Sequence, residues 1–356
     1  MKPIGQVPIR STQRRLRVLA SALRDRIRRS TLWGISTFEP VGPTEILPRA
    51  PAVCDADQFD RVLACGFDLD VKAEIASLAS TTFSGTPAEC CRLGECTLVG
   101  GTIVTAQGRH LLRSLPEWRS LLSRMESYDQ ATLLNTMQGL HYFGHWLQDD
   151  CPLYESLRSE TVLLSMPRPH WPDCRVYENA FGQDWKQTDF AHVGDLTIWR
   201  ELGYNRDKAA RITELRGRLR RAVTARSGGQ PVYISRGKPD EPRNMSNVTA
   251  FKEAMRKAGI AVLDPGIGNA EMVQQMLDAP LVIAIEGSQA CHGLYTLAEG
   301  GSFLILQPPE RFYNPLHNWA ALLGMGYGLV IGRKDGTRFH IDPDEVLRIA
   351  DRLLAR

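Results

Sequence analysis

Beyond residue 230 the chain alternates short β-rich runs with helical runs, and no other feature constrains the fold as much. Strands are expected at 232–235, 260–263, 281–285, 303–306 and 328–331, with helices at 248–258, 269–277, 289–298 and 316–323 between them. The run Leu-Val-Ile-Ala-Ile at 281–285 is apolar throughout, as expected of a strand covered on both faces. About five such alternations predict a doubly wound parallel sheet. A last helix, 342–354, carries Val346, Ile349 and Leu353 at helical spacing.

The first half is less regular. Prolines 40, 43, 48 and 51 predict an extended lead-in over 36–60. Two short strands around a Gln107-Gly108 turn are expected over 96–112, further strands at 133–138 and 161–166, and a helix at 145–157. The span 167–205, rich in Trp, Pro and Asp, shows no clean period. A long basic helix follows at 208–226, with Ile212, Leu215 and Leu219 on one face. Ser227-Gly228-Gly229-Gln230-Pro231 then breaks the chain. At 356 residues the length suits about two domains. The divisions expected are a basic arm (1–30), an N-terminal domain (31–225), a C-terminal domain (226–340) and a closing helix (341–356).

Charge separates the arm from the rest. The chain sums to +3, but residues 1–30 hold nine Lys or Arg against Asp25 alone, so the arm carries +8 and the remainder −5. Leu16, Leu19, Leu23 and Ile27 form a narrow apolar stripe among those arginines, a pattern that can lie on an anionic membrane surface or simply be solvated. No run approaches the ~20 apolar residues that span a bilayer. The arm is not followed by the apolar core of a signal peptide. A cytoplasmic protein, in peripheral contact with a membrane at most, is the expectation. None of the eight cysteines forms a C-x-x-C pair, which speaks against a zinc ribbon or a thioredoxin-like site.

In open parallel sheets ligands bind beyond the C-terminal ends of strands. One such end is Ser235-Arg236-Gly237-Lys238, where two cations suit a phosphate or, more blandly, pair with Asp240 or Glu241. A second is Glu286-Gly287-Ser288-Gln289, whose backbone N–H groups open a helix and suit an anion; Ser288 as a plain N-cap is the alternative. His145 and Asp149 are four apart and share a helical face, the spacing of a base oriented by a carboxylate or of a hydrogen-bonded helix start. His141 precedes them without H-E-x-x-H spacing or a third ligand, so no metal is expected. His317, in Pro315-Leu316-His317-Asn318-Trp319, reads as helix packing before ligand contact. Arg216, Arg218, Arg220, Arg221 and Arg226 lack interleaved aromatics, so a solvated helix face is expected and nucleic acid is not.

Three blocks in this order resemble glycosyltransferase family 61, including its bacterial members associated with capsular and cell-surface polysaccharides. They are Gly-His-Trp-Leu-Gln-Asp-Asp-Cys-Pro at 144–152; Tyr-Ile-Ser-Arg at 233–236 with Arg243, Asn244 and Asn247; and Ile-Glu-Gly-Ser at 285–288 with the run 298–306. Together they span about 130–330. The resemblance implies an α/β fold of two Rossmann-like domains facing across a cleft, the GT-B type. It implies inverting, metal-independent transfer of a sugar, with no cofactor, from a nucleotide-sugar donor, UDP-linked by expectation, to a glycan or lipid-linked acceptor. On that reading Arg236, Lys238, Glu286, Gly287, Ser288 and Gln289 hold the donor, and either Asp149 or His145 is the base. Ser235, His292 and His317 are candidate donor contacts, and the closing helix packs back on the first domain. A non-catalytic nucleotide- or carbohydrate-binding module is the alternative. A Rossmann dehydrogenase is disfavoured because no G-x-G-x-x-G follows a strand.

Overall fold

The computed structural model describes residues 37–112, 120, 122–160, 162–172, 174–226, 229–237, 244–264 and 267–356. The basic arm, Lys238 and Arg243 lie outside the described residues. The fold is mixed α/β with several sheets.

Strands of the second half are β10 (Val232–Ile234), β11 (Ala261–Leu263), β12 (Ala279–Ile285), β13 (Leu297–Gln307) and β14 (Gly326–Ile331), after β1–β9 of the first half. They form one all-parallel sheet in the order β11-β10-β12-β13-β14. Each expected strand is present there. The helix expected at 289–298 is shorter: a 3₁₀ turn, Ser288–His292, and one α turn, Gly293–Thr296, before Leu297 joins β13 opposite Ala279.

The first-half strands are β1 (Glu39–Val41), β2 (Glu45–Pro48), β3 (Thr82–Gly85), β4 (Ala88–Val99), β5 (Thr102–Thr105), β6 (Arg109–Leu111), β7 (Glu126–Leu133), β8 (Leu163–Leu164) and β9 (Phe190–Arg200). Their main sheet runs β6-β5-β4-β9-β7-β8, with β1 beside β4. Only β7 pairs in parallel, with β8 and β9; the other pairings are antiparallel. This sheet therefore lacks a Rossmann-like layout. Gly100, at φ +56, permits the tight β4–β5 hairpin, and the long β4 and β9 pair along most of their length. The strand expected at 133–138 ends at Leu133, because Thr136 caps a short helix, Met137–His141.

The halves share one core, running from Trp146 and Leu153 through Ile212 and Leu215 to Val282 and Leu294. The helix Arg206–Ala222 is the wedge between them. Its fully buried Ile212, Leu215 and Leu219 each contribute about 1.5–3 kcal/mol. The basic face expected to be solvated is in part an interface. Arg216 donates to the Leu294 and Leu297 carbonyls at 2.6 Å each, and Arg220 reaches Asp278 at 2.9 Å. Orphan carbonyls at the end of a helical turn draw those guanidiniums inward.

Two segments cross the expected divisions. Val53 bridges in parallel to Gly328 of β14, and Cys65 to Phe312, so part of the first half lies along the C-terminal sheet. The closing helix, Pro343–Leu354, packs on the C-terminal sheet and meets the first half at Val53, Asp55 and Arg61. It buries Val346, Ile349 and Leu353 in a cluster with Leu281, Leu304 and Val330, and Glu345 pairs with Arg61 at 2.7 Å. Among the described residues no helix is long and apolar enough to cross a membrane.

Candidate functional site

The parallel sheet reverses its order between β10 and β12, the position beyond whose strand ends such sheets bind ligands. A cavity of about 380 Å³ lies there. The chain leaving β10 (Arg236) and β12 (Glu286, Gly287, Ser288) forms one wall, and Tyr142, His145 and Gln148 from the first half form another.

The first-half wall follows from local chain chemistry. After the helix Met137–His141, Tyr142 is extended and the helix restarts at Phe143. Pro152 has no N–H to donate to the Gln148 carbonyl, and its ring would press on that carbonyl. Just ahead of it the turn Trp146–Asp150 widens to π-helical geometry, a device common at functional sites. Asp149 Oδ2 lies 2.7 Å from His145 Nδ1, and Oδ1 lies 2.5 Å from Lys208 Nζ. Asp149 and Lys208 are fully buried. Burial alone would raise the Asp149 pKa; Lys208 and the hydrogen bond from His145 outweigh it and hold the carboxyl below its ordinary value. An ionised Asp149 accepting from Nδ1 leaves Nε2 as the lone-pair nitrogen of the ring. The Lys208 ammonium also donates to the Glu201 and Gly203 carbonyls and sits 4.8 Å from the Trp319 ring.

Asp150, next in the same wide turn, is structural. Its Oδ1 accepts from the Thr136 N–H at 3.2 Å and hydroxyl at 2.8 Å. Burial pushes its pKa up to about 8. Gly144 fixes how the two walls meet: a Cβ there would fall 2.9 Å from both Cys291 Sγ and Ser288 Cα.

The opposite wall is shaped by backbone. Gly287 sits at φ +140, ψ −176, a region essentially confined to glycine. Arg236 Nη1 donates to the Glu286 carbonyl at 3.2 Å, and Arg311 Nε to Glu286 Oε2 at 3.1 Å. Two guanidiniums thus flank the Gly287–Ser288 turn, and both line the cavity. Such forks suit a phosphate. Among the described residues no group of three or more His, Cys, Asp or Glu is placed to hold a metal ion.

Of the residues singled out in sequence, His145, Arg236, Glu286, Gly287, Ser288 and Gln289 come together on this cavity. Asp149 stands behind His145, away from the cavity lining. Ser235 is buried, its N–H bonded to the Leu263 carbonyl, and does not line it. Two donor-contact expectations are corrected. His292 is buried, 2.7 Å from the Tyr177 hydroxyl and tilted against the Phe143 ring at 5.0 Å. His317 stacks 4.8 Å from Tyr327 and donates from Nε2 to the Ala50 carbonyl at 2.8 Å; burial lowers its pKa to about 4, so it is neutral. Both serve packing. His141 Nδ1 donates to the Met137 carbonyl at 2.7 Å within its own helix.

Comparison with protein-family models and with curated proteins finds no match to the chain.

Four site residues were missed in sequence: Lys208, Arg311, Phe67 and Tyr142. Lys208 had a signal, since it falls on the stripe of Ile212, Leu215 and Leu219, where a lysine must find a buried anion. Arg311, Phe67 and Tyr142 lie in turns and had none. Phe67 (φ 60) and Asp68 (φ 55) are consecutive non-glycine residues in the left-handed region, at a cost of order 1 kcal/mol or more each. The Gly66 N–H, bonded to the Phe312 carbonyl at 3.0 Å, and the Cys65–Phe312 bridge hold the turn in place.

Proposed function

We propose that the chain is an inverting glycosyltransferase, moving a sugar from a nucleotide-sugar donor to a glycan or lipid-linked acceptor of cell-surface polysaccharide. The observation that carries this reading is one cavity holding an oriented imidazole on one wall and two guanidiniums beside a glycine turn on the other. His145 Nε2 takes the acceptor hydroxyl proton while that oxygen bonds to the anomeric carbon. The bond from that carbon to the nucleotide diphosphate breaks on the opposite face. Arg236 and Arg311, with N–H groups near Gly287–Gln289, neutralise the departing diphosphate without a metal. Asp149 positions His145 and does not itself meet the acceptor. Glu286, held by Arg311, accepts from a ribose or sugar hydroxyl.

From the GT-B type this reading keeps the division of labour, with the donor on the parallel C-terminal sheet and the acceptor on the first half. It does not need the first half to be Rossmann-like. The enzyme would act in the cytoplasm, with the basic arm as a peripheral handle on anionic membrane. The test is turnover of UDP-, GDP- and dTDP-sugars, with hydrolysis or transfer followed in EDTA. Turnover in EDTA is expected. Binding without turnover would leave only a nucleotide- or carbohydrate-binding module, and a metal requirement would overturn the mechanism.

A further inference from the structure

We infer that Phe67 is the platform on which the nucleobase of the donor stacks, an inference that rests on the donor reading above. Phe67 is 57% exposed yet lines the same cavity as Arg236 and Gly287. An aromatic ring held at φ 60 and left this exposed gains little from burial to offset its backbone strain. Its surroundings brace it. The Arg311 guanidinium lies 4.9 Å from the ring centroid, and Tyr313 packs edge-on at 5.0 Å. Arg311 also joins this ring to the anion wall, because its Nε holds Glu286 at the end of β12. A phosphate bound beside Arg311 therefore has its nucleoside within reach of Phe67. The other exposed ring of the cavity, Tyr142, stands 6.1 Å from His145, on the side where the acceptor must lie. A planar base stacks on any aromatic face with little demand for matching hydrogen bonds, which suits a platform on a turn.

The test is calorimetric titration of the full chain with UDP, GDP, dTDP and inorganic pyrophosphate, in the wild type and in Phe67→Asn and Phe67→Tyr. Asparagine tolerates the left-handed backbone, so Phe67→Asn removes the ring while keeping the turn. Phe67→Asn should weaken the tightest-binding nucleoside diphosphate by about 5- to 100-fold, the range of single base–aromatic stacks, and leave pyrophosphate within about twofold. Phe67→Tyr should restore nucleoside affinity. Unchanged nucleoside affinity in Phe67→Asn, or an equal loss for pyrophosphate, overturns the platform and leaves the donor reading standing. A rise in acceptor KM with donor affinity unchanged likewise overturns it, assigning the ring to the acceptor. No nucleoside diphosphate binding by the wild type overturns both.

Discussion

The two walls of the cavity reach their chemistry by opposite means. The His145 wall is built from buried charge: Lys208 and Asp149 are sealed in the shared core and show the cavity only the imidazole they orient. The opposite wall is built from backbone shape, a glycine-only conformation at Gly287 and guanidiniums held by a carbonyl and a carboxylate. A proton transfer needs one atom fixed in place and polarity, which a low-dielectric ion pair supplies. A diphosphate spreads its charge over several oxygens, and a row of N–H donors meets it better than one fixed group. Damage to the first wall should therefore appear in turnover and stability, and damage to the second in donor affinity.

The sharpest test of that contrast is His145→Ala. Loss of a general base typically costs about 10²–10⁴-fold, so turnover should fall by that much while nucleoside diphosphate affinity stays within about twofold. Parallel losses in both would mean the walls are not separate. Lys208→Met probes the burial itself. It leaves Asp149 without its cation, and breaking one side of a buried pair costs about 3–5 kcal/mol. Chemical denaturation should show that loss, and Lys208→Met with Asp149→Asn should recover part of it. Full additivity of the two substitutions would refute the coupling.

The same contrast explains what could be read from sequence. The parallel sheet was legible because its central strand is apolar on both faces and the other strands carry short apolar runs, although the helix after β12 stops earlier than its sequence suggests. The glycine turn was legible with it, since a strand end followed by Glu286-Gly287-Ser288 is a local pattern. Across the cavity, His145 and Asp149 could be paired by their spacing, but not ranked. Their ranking depends on Lys208, 59 residues away from Asp149, and on which side chain the core covers. The mixed first sheet was the least legible. Strand β9 spans Phe190–Arg200 with interior polar residues His192 and Asp195, and β7 begins Glu-Ser-Tyr-Asp-Gln, so neither shows the apolar run or strict alternation that marks a strand. Arg311 and Phe67 reach the cavity only through turns that tertiary contacts hold.

On the backbone-shaped wall the effects should be smaller and of a different kind. Arg236→Ala removes a charged donor of the kind worth about 1.5–3 kcal/mol, so nucleoside diphosphate affinity should drop roughly 10- to 100-fold by calorimetry. Single-turnover chemistry at saturating donor should fall much less. An unchanged affinity would remove Arg236 from the phosphate site.

The pH dependence of stability separates Asp149 from its neighbour. The Asp149 carboxyl is held below its ordinary pKa, so its stabilising pairing is present above the unfolded value near 4 and is lost as pH falls through the lower folded value. Asp150 has the opposite sign. Its folded pKa of about 8 means the folded state binds a proton that the unfolded state releases above pH 4. Its contribution is full below pH 4 and drains away as pH rises toward 8, by at most about 1.4 kcal/mol per pH unit. Asp150→Asn cannot titrate. Measured by denaturation, its stability relative to the wild type should improve steadily from pH 5 to pH 8, with no matching trend in Asp149→Asn. A flat difference for Asp150→Asn would show that this carboxyl ionises freely in its buried turn.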